Sequence, residues 1–143
     1  MHVTSTAFEH QGRIPAKYTC NGKNISPPLR VEDIPNGTQS MALIVDDPDA
    51  PGKTFQHWLM WDIEPTEELS EDSAPGTQGT NDFGKAQYGG PCPPSGTHRY
   101  FFRVYALRTT LGLPRGSSRS DLDKAMKGQI LAEAELIGLY SQS

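Results

Sequence analysis

Histidines, carboxylates and a proline-glycine loop carry the chemistry open to this 143-residue chain. His98 opens the run His-Arg-Tyr-Phe-Phe-Arg-Val-Tyr-Ala-Leu107, and the loop before it is Tyr88-Gly-Gly-Pro-Cys-Pro-Pro-Ser-Gly-Thr97. Its glycines reach backbone geometries closed to other residues, while Pro91, Pro93 and Pro94 fix φ and remove N–H groups, so a stiff loop is expected. His57 stands inside a second apolar run, Phe55 to Ile63, just after the turn Asp46-Asp-Pro-Asp-Ala-Pro-Gly52. An imidazole changes charge near neutral pH and both donates and accepts hydrogen bonds. Held at the mouth of an apolar concavity beside a fixed loop, such a group has the usual composition of a small-ligand site. Each feature also has a structural reading: satisfied half-buried histidines for His57 and His98, local turn chemistry for Asp-Pro-Asp, and core packing with an edge hydroxyl for Tyr100.

Strands must position these groups. From His98 to Leu107 the residues are mostly aromatic or β-branched, and period-two alternation places His98, Tyr100, Phe102, Val104 and Ala106 on one face, with His98 at the rim. Thr38 to Asp46 holds the continuous run Met41-Ala-Leu-Ile-Val45, which fits a strand buried on both faces. Phe55 to Ile63 alternates, with Phe55, His57, Leu59, Trp61 and Ile63 on one face and Gln56, Trp58, Met60 and Asp62 on the other. Among its aromatics only Phe55 is placed to line a pocket; Trp58 and Trp61 read as core.

The remaining segments are weaker. Residues 2 to 8 read as a first strand and 29 to 31 as a short second one, and the polar stretch between them offers no core element and reads as a surface loop over a sheet edge. Glu64 to Asp72 is an acidic turn or a single helical turn. The more than 30 residues between Ile63 and His98 have little regular structure, which usually marks a binding loop. Ser120 is the expected N-cap of a helix running to about Gly128, with Leu122, Ala125 and Met126 on its buried face. Leu131 to Tyr140 fits a helix or an alternating strand, and propensity favours the helix.

With 14 glycines, 12 prolines and no shift of composition along its length, the chain reads as one loop-rich domain, residues 1–143, of all-β class with one or two short helices. The net charge of −4 comes without a Lys/Arg cluster, which argues against a nucleic-acid or anionic-lipid footprint. No apolar run approaches the ~20 residues of a membrane span, and the N-terminus has neither a basic region nor an apolar core, so a cytoplasmic protein is expected. Cys20 and Cys92 exclude a disulfide scaffold but allow one bridge; a reducing cytosol favours two free thiols.

Four motifs, Asp47-Pro-Asp-Ala-Pro-Gly52, His57-Trp58, Gly90-Pro-Cys-Pro-Pro94 and His98-Arg-Tyr100, occur in an order that resembles the phosphatidylethanolamine-binding protein family, also called Raf-kinase-inhibitor-like proteins. The resemblance runs from Asn24-Ile-Ser-Pro-Pro28 to Ala132-Glu-Ala-Glu-Leu-Ile-Gly138 and is closest to the short bacterial and archaeal branch. It implies an antiparallel Greek-key β-sandwich with an anion pocket at one end, lined by Asp47, Ala50, Pro51, Phe55, His57, Gly90, Pro93, Pro94, His98 and Tyr100. It also implies that residues 132 to 140 form the last strand, and it leaves the Ala50–Pro51 bond open to the cis form. The sequence ends at Ser143, whereas mammalian members carry a further helix across the pocket, so a more open pocket is expected. Both cysteines lie on loops that belong near this pocket, which brings their sulfurs within expected bonding reach under oxidation.

Residue chemistry agrees with an anion pocket. Two imidazoles and backbone N–H groups of a fixed loop can bind phosphate without Lys or Arg, and Asp47 can fix one imidazole's tautomer. Arg99, on the face opposite His98, reads as structural support paired with Asp49. The leading expectation is therefore a non-enzymatic binding protein for a small anionic or phosphorylated ligand, with a regulatory role open and no cofactor or metal. A serine protease or carboxypeptidase inhibitor is the alternative, and a hydrolase with a metal on Asp47, Asp49, His57 and His98 the weaker third, since neither His-Glu-x-x-His nor Gly-x-Ser-x-Gly occurs. Expected partners are that ligand, with a protease or signalling protein and a homodimer left open; no nucleic acid and no membrane span are expected.

Overall fold

The run Met41–Val45 is apolar throughout because both of its faces are covered. The computed structural model describes residues 1–142, and in it strand β4 (Ser40–Asp47) is buried at every position. Earlier in the chain come β1 (His2–Thr4), β2 (Gly12–Arg13), a 3-10 turn (Ala16–Tyr18) and β3 (Leu29–Glu32). After β4 come β5 (Phe55–Ile63), β6 (Glu68–Leu69), β7 (Thr77–Gln78), β8 (His98–Leu107), helix α1 (Arg119–Met126) and β9 (Ile130–Tyr140).

Six strands form the large sheet in the order β2-β9-β8-β4-β5-β7, and three form the small one, β1-β3-β6. The order β8-β4-β5-β7 is the Greek-key arrangement, in which the returning strand lies beside the first. Pairing is antiparallel except for β2, which lies parallel to β9. Between the sheets Met41, Leu43 and Val45 meet Val3, Val31, Leu69, Phe102 and Val104. On the outer face Ala42 and Ile44 meet Leu59, Trp61, Leu107 and the helix residues Leu122 and Met126. Among the described residues no helix is long and apolar enough to cross a membrane.

Strict alternation misplaces half of β5, because the strand bulges twice. Val45 pairs with Trp58 and Asp46 with Gln56, so His57 is an extra residue. Further along, Met41 pairs with Ile63 and Leu43 with Met60, leaving Trp61 and Asp62 opposite Ala42, with Asp62 at φ 53°. Trp58, Met60 and Ile63 therefore enter the inter-sheet core while Leu59 and Trp61 turn to the helix. The first bulge frees His57 from the Leu59–Trp61 face.

Several other expectations are corrected. The stretch 64–72 contains β6, paired with Leu29 and Arg30, and 75–84 contains β7. Both are two-residue strands, too short to carry periodicity. The first strand stops at Thr4, and the polar stretch after it does supply core: Ile14 is fully buried and Tyr18 nearly so. Residues 130–140, by contrast, are the strand that the family resemblance implies over 132 to 140, against helical propensity, since β9 pairs along β8 from His98↔Tyr140 to Leu107↔Ile130 and so satisfies its backbone groups there. The Ala50–Pro51 bond is trans, the form favoured by about 0.5–1 kcal/mol; the turn closes instead through Gly52 at φ 83° and the Asp49 N–H donated to Asp47 Oδ1.

Helix α1 starts two residues earlier than expected. Ser118 is its N-cap, accepting the Asp121 N–H at 3.1 Å while the Asp121 carboxylate accepts the Ser118 N–H at 3.0 Å. This reciprocal pair is a capping box. Ser118→Ala is expected to cost about 1 kcal/mol in urea unfolding, and Ser120→Ala, inside the first turn, close to nothing.

Candidate functional site

One end of the large sheet collects the chemistry-bearing residues. Asp47 ends β4, Phe55 and His57 begin β5, and His98 and Tyr100 begin the antiparallel β8, so their side chains converge without any long-range bend of the chain. The cavity there is about 360 Å³ and is lined by Asp47, Ala50, Pro51, Phe55, His57, Pro93, Pro94, His98 and Tyr100, together with Phe83 and Cys92.

Its polar groups are held in defined states. His57, 4% exposed, has Nδ1 2.7 Å from the Gly89 carbonyl. A carbonyl can only accept, so Nδ1 carries the proton and Nε2 is left without one in the neutral ring. Burial lowers the His57 pKa, partly opposed by the Gly89 carbonyl and the Asp47 charge. His98 is likewise buried, with Nδ1 2.6 Å from Asp47 Oδ2. Among the described residues neither Nε2 has a protein partner. The Tyr100 ring stands between the imidazoles, edge-on to His57 at 5.2 Å and stacked on His98 at 6.4 Å.

The Tyr100 hydroxyl is the one fully buried side-chain polar atom among the described residues without a hydrogen-bond partner; the nearby Cys92 N–H does not reach bonding geometry. Burial, then the Asp47 charge, pushes its pKa above the ordinary phenol value, so it remains a donor. Orphaned buried hydroxyls cost about 1–3 kcal/mol.

The three crowded carboxylates each face a different partner. Asp46 points to the outer face, to Arg103 and Arg119. Asp47 points into the cavity. Asp49 points outward, accepting Arg99 N–H, Nε and a terminal guanidinium nitrogen at 2.9 Å each. These bonds hold the Asp49 carboxyl below its usual range. Of Asp47, Asp49, His57 and His98, Asp49 is turned away to Arg99 while the other three share the cavity, and among the described residues no group of three or more His, Cys, Asp or Glu is arranged to hold a metal.

The loop before β8 is tied at successive points. Tyr88 Oη donates to the Tyr18 carbonyl at 2.7 Å, Gly89 N–H to the His57 carbonyl at 3.1 Å, and Gly90 N–H to Asn24 Oδ1 at 2.8 Å. Cys20 N–H donates to the Pro91 carbonyl, and Gln142 Nε2 to that of Pro93. Cys20 and Cys92 are joined by a disulfide, with Cα atoms 5.5 Å apart.

These ties correct the expectation for Gly90 and for the loop as a source of donors. Gly90 lies outside the lining of this cavity, because its N–H is spent on Asn24, and a Cβ there would collide with Asn24 and the Tyr18 carbonyl. Gly89 is spent on β5 and the prolines have no N–H, so the donors left are the imidazoles, Tyr100 and the Cys92 N–H, which lies near the Tyr100 hydroxyl. Sequence reasoning missed Phe83 and the wall position of Cys92. For Phe83 the available signal was an aromatic at the tip of the tight turn Asn81-Asp-Phe-Gly84 in an otherwise polar stretch.

Comparison with known proteins places this geometry. A family model described as phosphatidylethanolamine-binding protein matches residues 4–141. A UPF0098 protein of Methanothermobacter thermautotrophicus is 50% identical over 98% of this chain and 98% of its own length, and one of Aquifex aeolicus 53% identical over 99% and 89%. Among solved structures, a phosphatidylethanolamine-binding protein homologue of Chlamydia trachomatis superposes with a TM-score of 0.96 at 40% identity, covering 99% of this chain and 97% of that one. YbcL of E. coli, described as a member of the mammalian family, gives 0.92 at 32% over 99% and 98%. A carboxypeptidase Y inhibitor bound to its cognate proteinase, at 0.57 and 16% over 99% and 82%, shares the fold alone. Matched along almost its whole length, the chain belongs to the phosphatidylethanolamine-binding protein family.

Proposed function

We propose that the cavity is a non-catalytic binding site for a small oxyanion of the phosphate type. The supporting observation is convergence: two imidazoles fixed at Nδ1 with Nε2 unpartnered, and a buried hydroxyl without an acceptor, meet in one largely apolar cavity. A phosphate oxygen supplies the acceptor that Tyr100 lacks. Both oxygens of Asp47 are already engaged, by His98 and the Asp49 N–H, which weakens its repulsion of an anion. Among the described residues the lining holds no serine, threonine or lysine, its cysteine is bonded, and its one carboxylate, Asp47, has both oxygens engaged. The likeness to the carboxypeptidase Y inhibitor is one of fold and adds no argument for inhibition.

The pH dependence follows from the tautomers. An anion with no proton of its own is held by an imidazole Nε2 only once that ring is protonated, so binding takes up a proton. Because burial lowers the His57 pKa, this ring is neutral at neutral pH and its donor appears as pH falls below the ordinary value of about 6.5. Sulfate keeps its charge through this range, so in calorimetric titration its affinity should rise as pH falls. His57→Ala and His98→Ala should each weaken sulfate and inorganic phosphate about tenfold or more, the scale of a hydrogen bond to a charged group, with an unchanged circular dichroism spectrum. Wild-type affinity in both variants would return the histidines to a structural role.

A further inference from the structure

Phe83 is one of two large apolar side chains left exposed among the described residues, at 45%, yet its ring is held in place. It meets Phe55 at 4.8 Å and His57 at 5.4 Å between centroids, both edge-on. Behind it lies Gly89, where a Cβ would collide with the ring. Beneath it is Asn81, which is 4% exposed and uses its whole amide: Oδ1 accepts the Phe83 and Lys85 N–H groups, and Nδ2 donates to the His57 and Gln87 carbonyls. One buried side chain therefore fixes both the turn that carries Phe83 and the strand that carries His57.

The cavity is too large for a bare oxyanion. At about 360 Å³ it is on the scale of sites that hold small organic molecules. Its polar side chains lie together, at Asp47, His57, His98 and Tyr100, and the rest of the wall is aromatic ring, alanine, proline and the disulfide-bonded Cys92. An apolar ring kept half exposed at such a wall loses contact with water only when something apolar is placed against it.

From this arrangement we infer that Phe83 is a specificity-determining residue: it covers the substituent an anion carries, and so selects phosphomonoesters with a compact apolar group over inorganic phosphate. The inference rests on the anion reading of the cavity. The phosphoryl oxygens take the imidazoles and the Tyr100 hydroxyl, and the substituent lies between Phe83 and Phe55, where an aromatic ring gains edge or offset contacts.

Calorimetric titration with inorganic phosphate and phenyl phosphate at mildly acidic pH, where both are chiefly monoanions and the imidazole donors of the anion site are available, separates the two readings. Wild type should bind phenyl phosphate about tenfold more tightly than phosphate, the combined scale of a ring contact and its burial. Phe83→Ala should lose most of that preference and keep its phosphate affinity, while Phe83→Leu, still apolar, should retain part of it. Because Phe83 is on the surface, circular dichroism should be unchanged. A wild type without the preference, or a Phe83→Ala that keeps it, overturns the inference while leaving the anion site intact. Loss of phosphate binding in Phe83→Ala also overturns it, since the ring would then support His57 and select nothing. Failure of wild type to bind either compound removes the anion reading itself.

Discussion

Reduction of the Cys20–Cys92 disulfide is expected to lower the unfolding free energy by about 4 kcal/mol and to leave the folded cavity in place. The bridge spans 72 residues, half of the chain. Its main effect is on the unfolded state, where closing a loop of that length removes conformational entropy worth roughly that amount in the chain-entropy model. In the folded state the same two segments are joined independently, by the Tyr88 hydroxyl on the Tyr18 carbonyl, the Gly90 N–H on Asn24 and the Cys20 N–H on the Pro91 carbonyl. Urea unfolding with and without a dithiol should show a midpoint lower by about 2 M on reduction, for an m-value near 2 kcal/mol/M, with phosphate affinity below the transition within about twofold. An unchanged midpoint would mean that the reduced unfolded chain is already as restricted as the bridged one.

Trp61→Ala is expected to cost about 4 kcal/mol, within the usual range for emptying a buried aromatic site. Trp61 is fully buried against the helix-side cluster, its Nε1 donates to the Leu113 carbonyl at 3.1 Å, and Gly79 packs on its ring so closely that a Cβ there could not fit. The two bulges of β5 separate this cluster from His57. Truncation should therefore destabilise α1 and its flanking loop while phosphate still binds to the folded fraction. Strict alternation puts Trp61 and His57 on one face and implies the opposite, a variant that loses the ligand along with stability. Chemical unfolding followed by calorimetry on the same variant distinguishes the two.

What could be read from the sequence depended on how local its cause was. The run Met41–Val45 and the aromatic β8 declare themselves because burial on two faces, or on one, is written in residue type alone. The residues around the cavity were legible for a related reason: Asp47, His57, Pro93 and His98 sit at strand ends or in a stiff loop, where a few short motifs fix their place. The bulge at His57 was not legible, since it is set by pairing with β4 and leaves no mark on composition. Propensity alone misleads for β9, whose Ala, Glu and Leu favour helix until β8 offers a complete row of partners, and there the family resemblance, which implies a last strand over 132 to 140, was the better guide. Gly90 shows a third limit. Its sequence neighbourhood suggests a cavity residue, but its backbone donor is claimed by Asn24, a residue far away in the chain. Phe83 fell outside every periodic segment, and only the fold shows which rings it meets.

Nitrogen-15 NMR of the histidine side chains at mildly acidic pH, with and without sulfate, tests the anion site most directly. Without ligand His57 should carry its proton on Nδ1, donated to the Gly89 carbonyl at 2.7 Å, with Nε2 unprotonated. On adding sulfate its Nε2 should move to the position of a protonated nitrogen, His98 Nε2 should shift with it, and exposed His2 and His10 should not respond. Spectra in which His57 and His98 are unchanged at saturating sulfate, or in which all four histidines move alike, would contradict an anion held between these two imidazoles.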